Sequence, residues 1–386
     1  AAAKIWTVIH YFFAYQDLMK DDWNKVFRQS IPHFALAKDT LAYHLAVAEM
    51  YHHIQDGHGF IRSKILNRYF GGASLPMNIR FIEDQAVVTA VFPDSVYKVR
   101  GINVGDIVLE IDGEKTADRI ARMSQYINSS NRSALLNYIS WRFLNGPDST
   151  EAVLKIQKAD RRQSKVTLIR SIAHNLYYPN IGNGRNQDSI TRLITPDIGY
   201  ADLDRLTSDM VEKMFDDFKD TKAIIFDMRG YPNGTAWSIS PHLTNKKNVY
   251  AADFRRYSPM GINDGASKNM TFFKQAIPPP KAPYYIGKTV MLIDERSQSQ
   301  AEHTGLFFEA ANGTKFIGSQ TAGASGDVTN FSIPGKIILT FSGHDVRHID
   351  GRQLQQVGLV PDVMVKPTIK GIRDGRDEVL DKAIEY

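Results

Sequence analysis

The sequence contains no cysteine, no long apolar run and no block of charges of one sign. Without cysteine the chain has no disulfide bond, no thiolate nucleophile and no cysteine-bound zinc. The most apolar stretch, residues 41–54, is interrupted by Glu49 and by three histidines, so no membrane-spanning helix is expected. The net charge of +5 is spread over interspersed acidic and basic residues. This pattern argues against nucleic-acid binding.

The length and the hydrophobic pattern predict three regions. A chain of 386 residues exceeds the size at which one hydrophobic core usually stops growing. Residues 1–70 have the pattern of apolar helices, and residues 71–170 that of short β-branched strands separated by turns. In residues 171–386 strands and helices alternate, which predicts a layered α/β domain with functional loops at the strand ends. Residues 175–188, rich in Asn and Gly, are expected to form a linker or loop.

Ser299 is the best-placed candidate nucleophile. It follows a buried-type strand, in the segment MLIDERSQSQ, and precedes an apolar helix. The first N–H groups of a helix are unpaired and lie at the positive end of its dipole, so the Gln300 N–H could hold a developing oxyanion. Glu302 follows Ser299 by three positions, so a purely structural capping box is the alternative.

A second oxyanion donor is predicted in the turn within IIFDMRGYPNGT, residues 224–235. A Gly/Pro/Asn turn after a buried strand exposes backbone N–H groups, and Gly234 or its neighbour Asn233 could supply one. An ordinary strand-to-helix connection is the alternative.

His58 is the best candidate general base among the eleven histidines. A serine hydroxyl needs a base at neutral pH, and a nearby histidine is the usual one. His58 lies between two glycines in a loop, whereas the helical setting of His44 and His52 indicates packing. His303 lies one turn after Ser299 but should point away from the helix start. A surface loop histidine without catalytic role is the alternative reading of His58.

No metal or cofactor is expected. His52, His53 and His58 are close in sequence, but the chain has no His-Glu-x-x-His pattern and no calcium-loop set of carboxylates.

Several motifs, in the same order, resemble those of the tail-specific (C-terminal-processing) serine peptidases, family S41. They are DGH at 56–58, the PDZ-like signature RGINVGDIVLEIDG at 100–113, the turn DMRGYPNG at 227–234, the nucleophile motif SQAE at 299–302, and the closing motifs IGSQTAG at 317–323 and VGLVPDV at 357–363. The resemblance implies an α/β protease core of the crotonase-like (ClpP/crotonase) type, with an N-terminal helical region and an inserted PDZ-like domain. It also implies hydrolysis of peptide bonds through an acyl-enzyme.

Two positions depart from the family patterns. Many members use a Ser-Lys pair whose lysine directly follows the Thr-x-Gly of the closing motif, and this chain has Ala324 there. A tricorn-core-like branch uses Ser, His and Glu, which makes His58 the base and puts the glutamate near Gln355. An amide can orient a histidine tautomer but cannot stabilise imidazolium by charge. The third catalytic residue is therefore Gln355 or a carboxylate brought close by folding.

The PDZ-like region implies that the C-terminus of a polypeptide substrate adds as a strand to an exposed sheet edge. Residues 75–82 are the predicted edge, with Leu75, Met77 and Ile79 as substrate-binding residues. A sheet that only separates the helices from the core is the alternative.

The sequence thus predicts a serine endopeptidase acting on polypeptides, with two alternatives. Ala324 and Gln355 would suit a catalytically silent ligand- or peptide-binding protein on the same fold, and the PDZ-like part could make the chain a peptide-docking scaffold. The resemblance also implies an extracytoplasmic location, periplasmic or envelope-associated. The chain starts at Ala1 without Met, which agrees with removal of an N-terminal segment that could have associated with a membrane.

Overall fold

The computed structural model describes residues 1–93, 99–174, 189–257 and 270–386, so the linker predicted at 175–188 lies outside the described residues. Within them, no helix is both long and apolar enough to cross a membrane. Short 3-10 helices occupy Gln16–Leu18, Ser208–Met210 and Ser240–His242. The α-helices are α1 Ala2–Phe12, α2 Trp23–Ala35, α3 Thr40–His52, α4 Lys64–Phe70, α5 Thr116–Ser124, α6 Arg132–Phe143, α7 Val211–Phe218, α8 Ala236–Ile239, α9 Gln300–Asn312, α10 Ile369–Arg373 and α11 Glu378–Glu385.

The strands form several sheets, and the fold is mixed α/β, as the sequence predicts. They are β1 Ile61–Arg62, β2 Met77–Ile82, β3 Gln85–Val91, β4 Ile107–Ile111, β5 Glu114–Lys115, β6 Glu151–Gln157, β7 Gln163–Ile169, β8 Thr191–Thr195, β9 Ile198–Asp202, β10 Ala223–Asp227, β11 Tyr250–Tyr257, β12 Met270–Ala276, β13 Lys288–Ile293, β14 Lys315–Gly318, β15 Val328–Ile333, β16 Ile337–Ser342, β17 Asp345–His348 and β18 Val363–Met364.

The N-terminal helices share one core with a hairpin from the other end of the chain. Asp22 and Asp39 cap α2 and α3, each accepting a hydrogen bond from a first-turn N–H. The apolar faces of α1 to α3 then pack against the β15–β16 hairpin. Strand β1 also pairs antiparallel with β16. The loop between α3 and β1, residues 53–60, is therefore held next to the end of β16.

The second region contains an antiparallel sheet of strand order β2-β3-β4-β6-β7, with β5 paired to β4. Helices α5 and α6 pack against it, and their apolar residues join those of the strands in one core. Strand β2 lies at the edge of this sheet, where β3 is its strand partner among the described residues. Helix α6 packs beside that edge.

The third region is built on a sheet of strand order β18-β14-β13-β10-β9-β8. Neighbours from β18 to β9 are parallel, and β8 pairs antiparallel at the edge. Asp227, the last residue of β10, pairs in register with Leu292 of β13. Because the carboxyl ends of adjacent parallel strands meet at one edge of a sheet, the loops after β10 and β13 lie side by side.

Candidate active site

Ser299 lies in a sharp bend between β13 and α9. Its φ angle of 57° is in the left-handed region, which costs energy for a residue with a side chain. Two contacts of its backbone N–H hold the bend: one to the Ala324 carbonyl oxygen at 2.9 Å and one to the Glu302 carboxylate at 3.2 Å. The loop before it is tied to the end of β10, because the Ser297 hydroxyl donates to the Met228 carbonyl oxygen at 2.7 Å.

Glu302 connects the start of α9 to the closing motif. Its buried carboxylate accepts hydrogen bonds from the Thr321 hydroxyl, from the N–H groups of Gly323 and Ala324 at 2.7 and 3.0 Å, and from that of Ser299. Burial raises the pKa of Glu302 to about 7, and these donors oppose a larger rise by stabilising the charged form. The structure thus gives Glu302 a capping role that also positions the backbone of Ser299.

His58 belongs to a loop that is fixed by one buried carboxylate. Asp56 Oδ1 accepts from the His58 N–H at 3.0 Å, and Asp56 Oδ2 accepts from the Ser342 N–H at 2.6 Å. The Ser342 hydroxyl also donates to Asp56 Oδ1 at 2.9 Å, and the same hydroxyl oxygen lies 2.9 Å from His58 Nδ1. The side chains of Asp56, Ser342 and His58 therefore form a chain of hydrogen bonds.

This chain determines the tautomer of His58. An ionised carboxylate only accepts hydrogen bonds, so the single proton of the Ser342 hydroxyl is directed at Asp56. The hydroxyl oxygen can then only accept from His58, which places the imidazole proton on Nδ1. Nε2 keeps its lone pair, and it has no hydrogen-bond partner within the described part of the chain. That is the protonation state that a general base requires.

The surroundings keep the imidazole neutral. Burial lowers the pKa of His58, and the negative charges of Asp56 and Asp327 oppose this shift without cancelling it. The same two charges would stabilise the imidazolium once a proton arrives.

The loops that carry His58 and Ser299 touch through their immediate chain neighbours. The Gln298 side-chain amide donates to the Gly57 carbonyl oxygen at 3.0 Å, and the Tyr138 hydroxyl donates to the other end of that amide, Gln298 Oε1, at 2.7 Å. A Cβ added to Gly57 would lie 2.6 Å from Cβ of Ala324, whose carbonyl oxygen accepts from Ser299. Folding thus brings together two loops that are far apart in sequence.

The predicted oxyanion donors lie on adjacent loops. Gly234 has a φ of 74°, and a Cβ added to it would lie 3.6 Å from the Gln300 side-chain nitrogen. The Asn233 side-chain amide donates to the carbonyl oxygens of Asp204 and Leu206 at 3.0 and 3.2 Å. The Asn233 side chain therefore anchors this turn against the loop after β9.

Gln355 is buried near His58 but does not orient it. Its side-chain amide nitrogen donates to Asp56 Oδ1 at 3.0 Å, whereas the partner of His58 Nδ1 is Ser342. Gln355 Oε1 has no hydrogen-bond partner within the described residues. The carboxylate that folding brings close to His58 is Asp56, which is linked to the imidazole through the Ser342 hydroxyl and accepts a hydrogen bond from Gln355.

His303 is packed among aromatic rings. Its ring centroid lies 4.9 Å from that of Phe307, 5.7 Å from that of Phe254 and 5.8 Å from that of Trp237. Burial lowers its pKa to about 4, so it is neutral near pH 7. Its place is structural, in line with its predicted direction along the helix.

The side chains of Leu75, Met77 and Ile79 are buried in the core of the second sheet, with exposures of 0, 1 and 3%. They cannot contact a docked peptide directly, because they already pack inward. The backbone of β2 still lies at a sheet edge, and Arg80 on this strand donates to Asp294 at 3.1 Å and to Glu295 at 2.6 Å. These ion pairs connect the sheet edge to the loop that precedes Ser299.

Asp56 and Ser342 are the two residues of the His58 hydrogen-bond network that sequence reasoning did not assign. Asp56 is part of the DGH motif, so its position carried a signal. Ser342 lies 284 residues after His58 at the end of a strand, and no local pattern distinguishes it.

Comparison with known proteins places this geometry in context. The model of peptidase family S41 matches residues 197–365, and no curated protein matches the chain. Mature CPAF in complex with lactacystin superposes with a TM-score of 0.76 at 15% identity, over 99% of this chain and 96% of that one. The photosystem II D1 C-terminal processing protease superposes with a TM-score of 0.51 at 13% identity, over 95% of this chain and 92% of that one. At such identities the likeness to solved structures establishes the fold alone.

Proposed function

We propose that the chain is a serine-type peptidase in which Ser299 and His58 hydrolyse peptide bonds through an acyl-enzyme, and the match of the family S41 model to residues 197–365 supports this. The observation that carries this proposal is the chain of hydrogen bonds from Asp56 through Ser342 to His58, which leaves the buried Nε2 unprotonated and without a hydrogen-bond partner within the described residues. His58 itself lies outside the matched residues, so its role rests on this geometry.

In the first half of the reaction, Ser299 Oγ attacks the scissile carbonyl carbon while His58 Nε2 takes the hydroxyl proton. The carbonyl oxygen becomes an oxyanion that accepts hydrogen bonds from the N–H groups of Gln300 and Gly234. The C–N bond then breaks, and the proton on Nε2 passes to the leaving amine. An ester of Ser299 remains.

In the second half, a water molecule attacks the ester carbonyl carbon and gives a proton to His58 Nε2. The second tetrahedral intermediate collapses, the proton returns to Ser299 Oγ, and the carboxylic acid product leaves. In both halves Asp56 stabilises the imidazolium by charge through the Ser342 hydroxyl, which is the part that a glutamine could not perform. The route needs no cofactor.

We further propose that residues 71–170 form a PDZ-like module inserted between the N-terminal helical region, 1–70, and a crotonase-like core, 171–386. The antiparallel sheet with β2 at its edge and α6 beside it supports this assignment. A substrate C-terminus would add to the β2 edge through backbone hydrogen bonds. An extracytoplasmic location, in the periplasm or at the envelope, is proposed from the family resemblance.

A fluorophosphonate probe tests the function. Labelling of the folded protein that disappears in Ser299→Ala, and persists in a control such as Ser332→Ala at an exposed position, supports the proposal. The absence of labelling in folded protein, together with the absence of peptide turnover, would favour a silent binding protein on the same fold.

A further inference from the structure

Two cavities adjoin on the side of the His58 loop that faces α4, α5 and α6. The smaller, of 80 Å³, is mainly apolar and extends from Gly59 past Phe60 and Trp141. The larger, of 230 Å³, is lined mainly by polar and charged residues. Phe70 and Arg142 line both cavities, so the two share one wall. Gly59, the chain neighbour of His58, lines the smaller cavity, and the shared wall joins that cavity to the larger one.

The larger cavity is strongly basic. Five arginines line it: Arg68, Arg119, Arg122, Arg142 and Arg170. Three of them are fixed by carboxylates. Arg119 and Arg122 both bind Glu114, with N to O distances of 2.6 and 2.7 Å, and Arg170 binds Asp112 at 2.6 Å. Five guanidinium groups thus face two carboxylates.

Arg142 and Arg68 have no carboxylate partner within the described part of the chain. The Arg142 guanidinium lies 5.4 Å from the centroid of the Phe70 ring. Burial lowers the pKa of Arg142, as expected for a cation that is removed from water without a counter-charge. Arg68 is exposed among the lining residues. The excess of three positive charges is therefore carried by Arg142, by Arg68 and by the Arg119–Arg122 pair, which shares the single carboxylate of Glu114.

We propose that this basic cavity binds an acidic segment of a polypeptide substrate, while a small apolar residue of the same substrate fills the adjoining cavity. A single carboxylate is matched by one bidentate guanidinium, so an excess of three positive charges suits two or more acidic side chains. A cavity of 80 Å³ is smaller than the roughly 150 Å³ that accommodates benzene, which favours a short aliphatic side chain. This inference rests on the proposed peptidase function and specifies its substrate class.

Binding is best measured on Ser299→Ala protein, so that the peptide is not cleaved. A fluorescent peptide with a valine followed by two glutamates is compared with the same peptide carrying two glutamines. We expect the glutamine peptide to bind at least about tenfold more weakly. Adding Arg142→Gln should weaken the binding of the glutamate peptide about tenfold and leave the binding of the glutamine peptide nearly unchanged. Arg28→Gln, at an exposed position on α2, is the matched control and should change the affinity for neither peptide.

Arg68→Gln provides a second variant in case Arg142→Gln lowers the melting temperature, because Arg68 is exposed. Equal affinity for the two peptides would overturn the proposal. It would also be overturned if each arginine variant lost affinity for both peptides to the same extent.

A peptide with an amidated C-terminus distinguishes binding of the terminal carboxylate from binding of the acidic side chains. If amidation rather than the glutamine exchange removes binding, the acidic-segment proposal fails. Failure of the peptidase function would show separately, as wild-type protein that a fluorophosphonate does not label.

Discussion

The Ser342 hydroxyl oxygen lies 2.9 Å from His58 Nδ1 and donates its proton to Asp56 Oδ1 at the same distance. A neutral hydroxyl thus occupies the place next to the imidazole where a serine peptidase commonly has a carboxylate or an amide. The negative charge is on Asp56, which is linked to the His58 imidazole through the Ser342 hydroxyl. This arrangement fixes the tautomer strongly and stabilises the imidazolium more weakly than a direct carboxylate would.

Replacing Ser342 with alanine should remove the acceptor of the Nδ1 proton. The loss of one buried hydrogen bond in the transition state is expected to lower kcat by about 10- to 100-fold, with KM nearly unchanged. Ser342→Thr keeps the hydroxyl and should recover part of the rate. The check is steady-state kinetics on one peptide substrate. An unchanged kcat in Ser342→Ala would show that the Ser342 hydroxyl does not position His58.

The pH dependence of kcat/KM reports the pKa of His58 in the free enzyme. Because burial lowers this pKa below 6.5, the imidazole stays neutral as the pH falls through 6.5. The rate should therefore decline only at lower pH. Asp56→Asn removes a charge that raises the pKa, so the acid limb should move to still lower pH while kcat falls. A profile from about pH 4 to pH 8 tests both statements. An acid limb that moves upward in Asp56→Asn would contradict them.

Gln355→Glu distinguishes the observed network from a direct His-Glu pair. Gln355 donates to Asp56 Oδ1, and an ionised glutamate could not donate and would place a second negative charge beside Asp56. We expect kcat to fall and the free energy of unfolding to decrease by roughly 1 to 3 kcal/mol. Gln355→Met, which only removes the hydrogen bond, is the control for the added charge. A kcat that rises in Gln355→Glu would mean that a glutamate there pairs with His58 directly.

The contact between the His58 loop and the closing-motif loop, whose Ala324 carbonyl oxygen accepts a hydrogen bond from the Ser299 N–H, is testable at Gly57. An alanine there would place its Cβ 2.6 Å from Cβ of Ala324 and 2.9 Å from the Tyr138 hydroxyl, closer than real Cβ contacts allow. Gly57→Ala should therefore lower kcat/KM by moving the His58 loop. Ala324→Gly in the same molecule removes one of the two clashes and should recover part of the loss. A double-mutant cycle with a coupling energy of about 1 kcal/mol or more is expected, and additive effects would show that the loops are not in contact.

Local patterns predicted the elements that carry the chemistry. The strand before Ser299 and the helix after it have strong apolar signatures, and they form β13 and α9. The turn at Gly234 follows from its Gly/Pro/Asn composition in the same way. Both features depend on residues that are neighbours in the chain, so a single sequence is sufficient to place them.

The network behind His58 could not be predicted, because its members meet only through tertiary folding. Ser342 reaches His58 because β16 packs with the N-terminal helices and pairs with β1. The burial of the Leu75, Met77 and Ile79 side chains could not be predicted for a related reason. Their apolar side chains were correctly placed near a sheet edge, but the burial of those side chains depends on α6 and the rest of the core.

The account depends most on the transfer of the Ser299 proton to His58. The direct test is the rate at which a fluorophosphonate labels Ser299 in wild-type protein and in His58→Gln protein of equal melting temperature. We predict labelling about 100- to 10,000-fold slower in His58→Gln, because the hydroxyl then lacks its base. Labelling of Ser299 at the wild-type rate in that variant would contradict the mechanism.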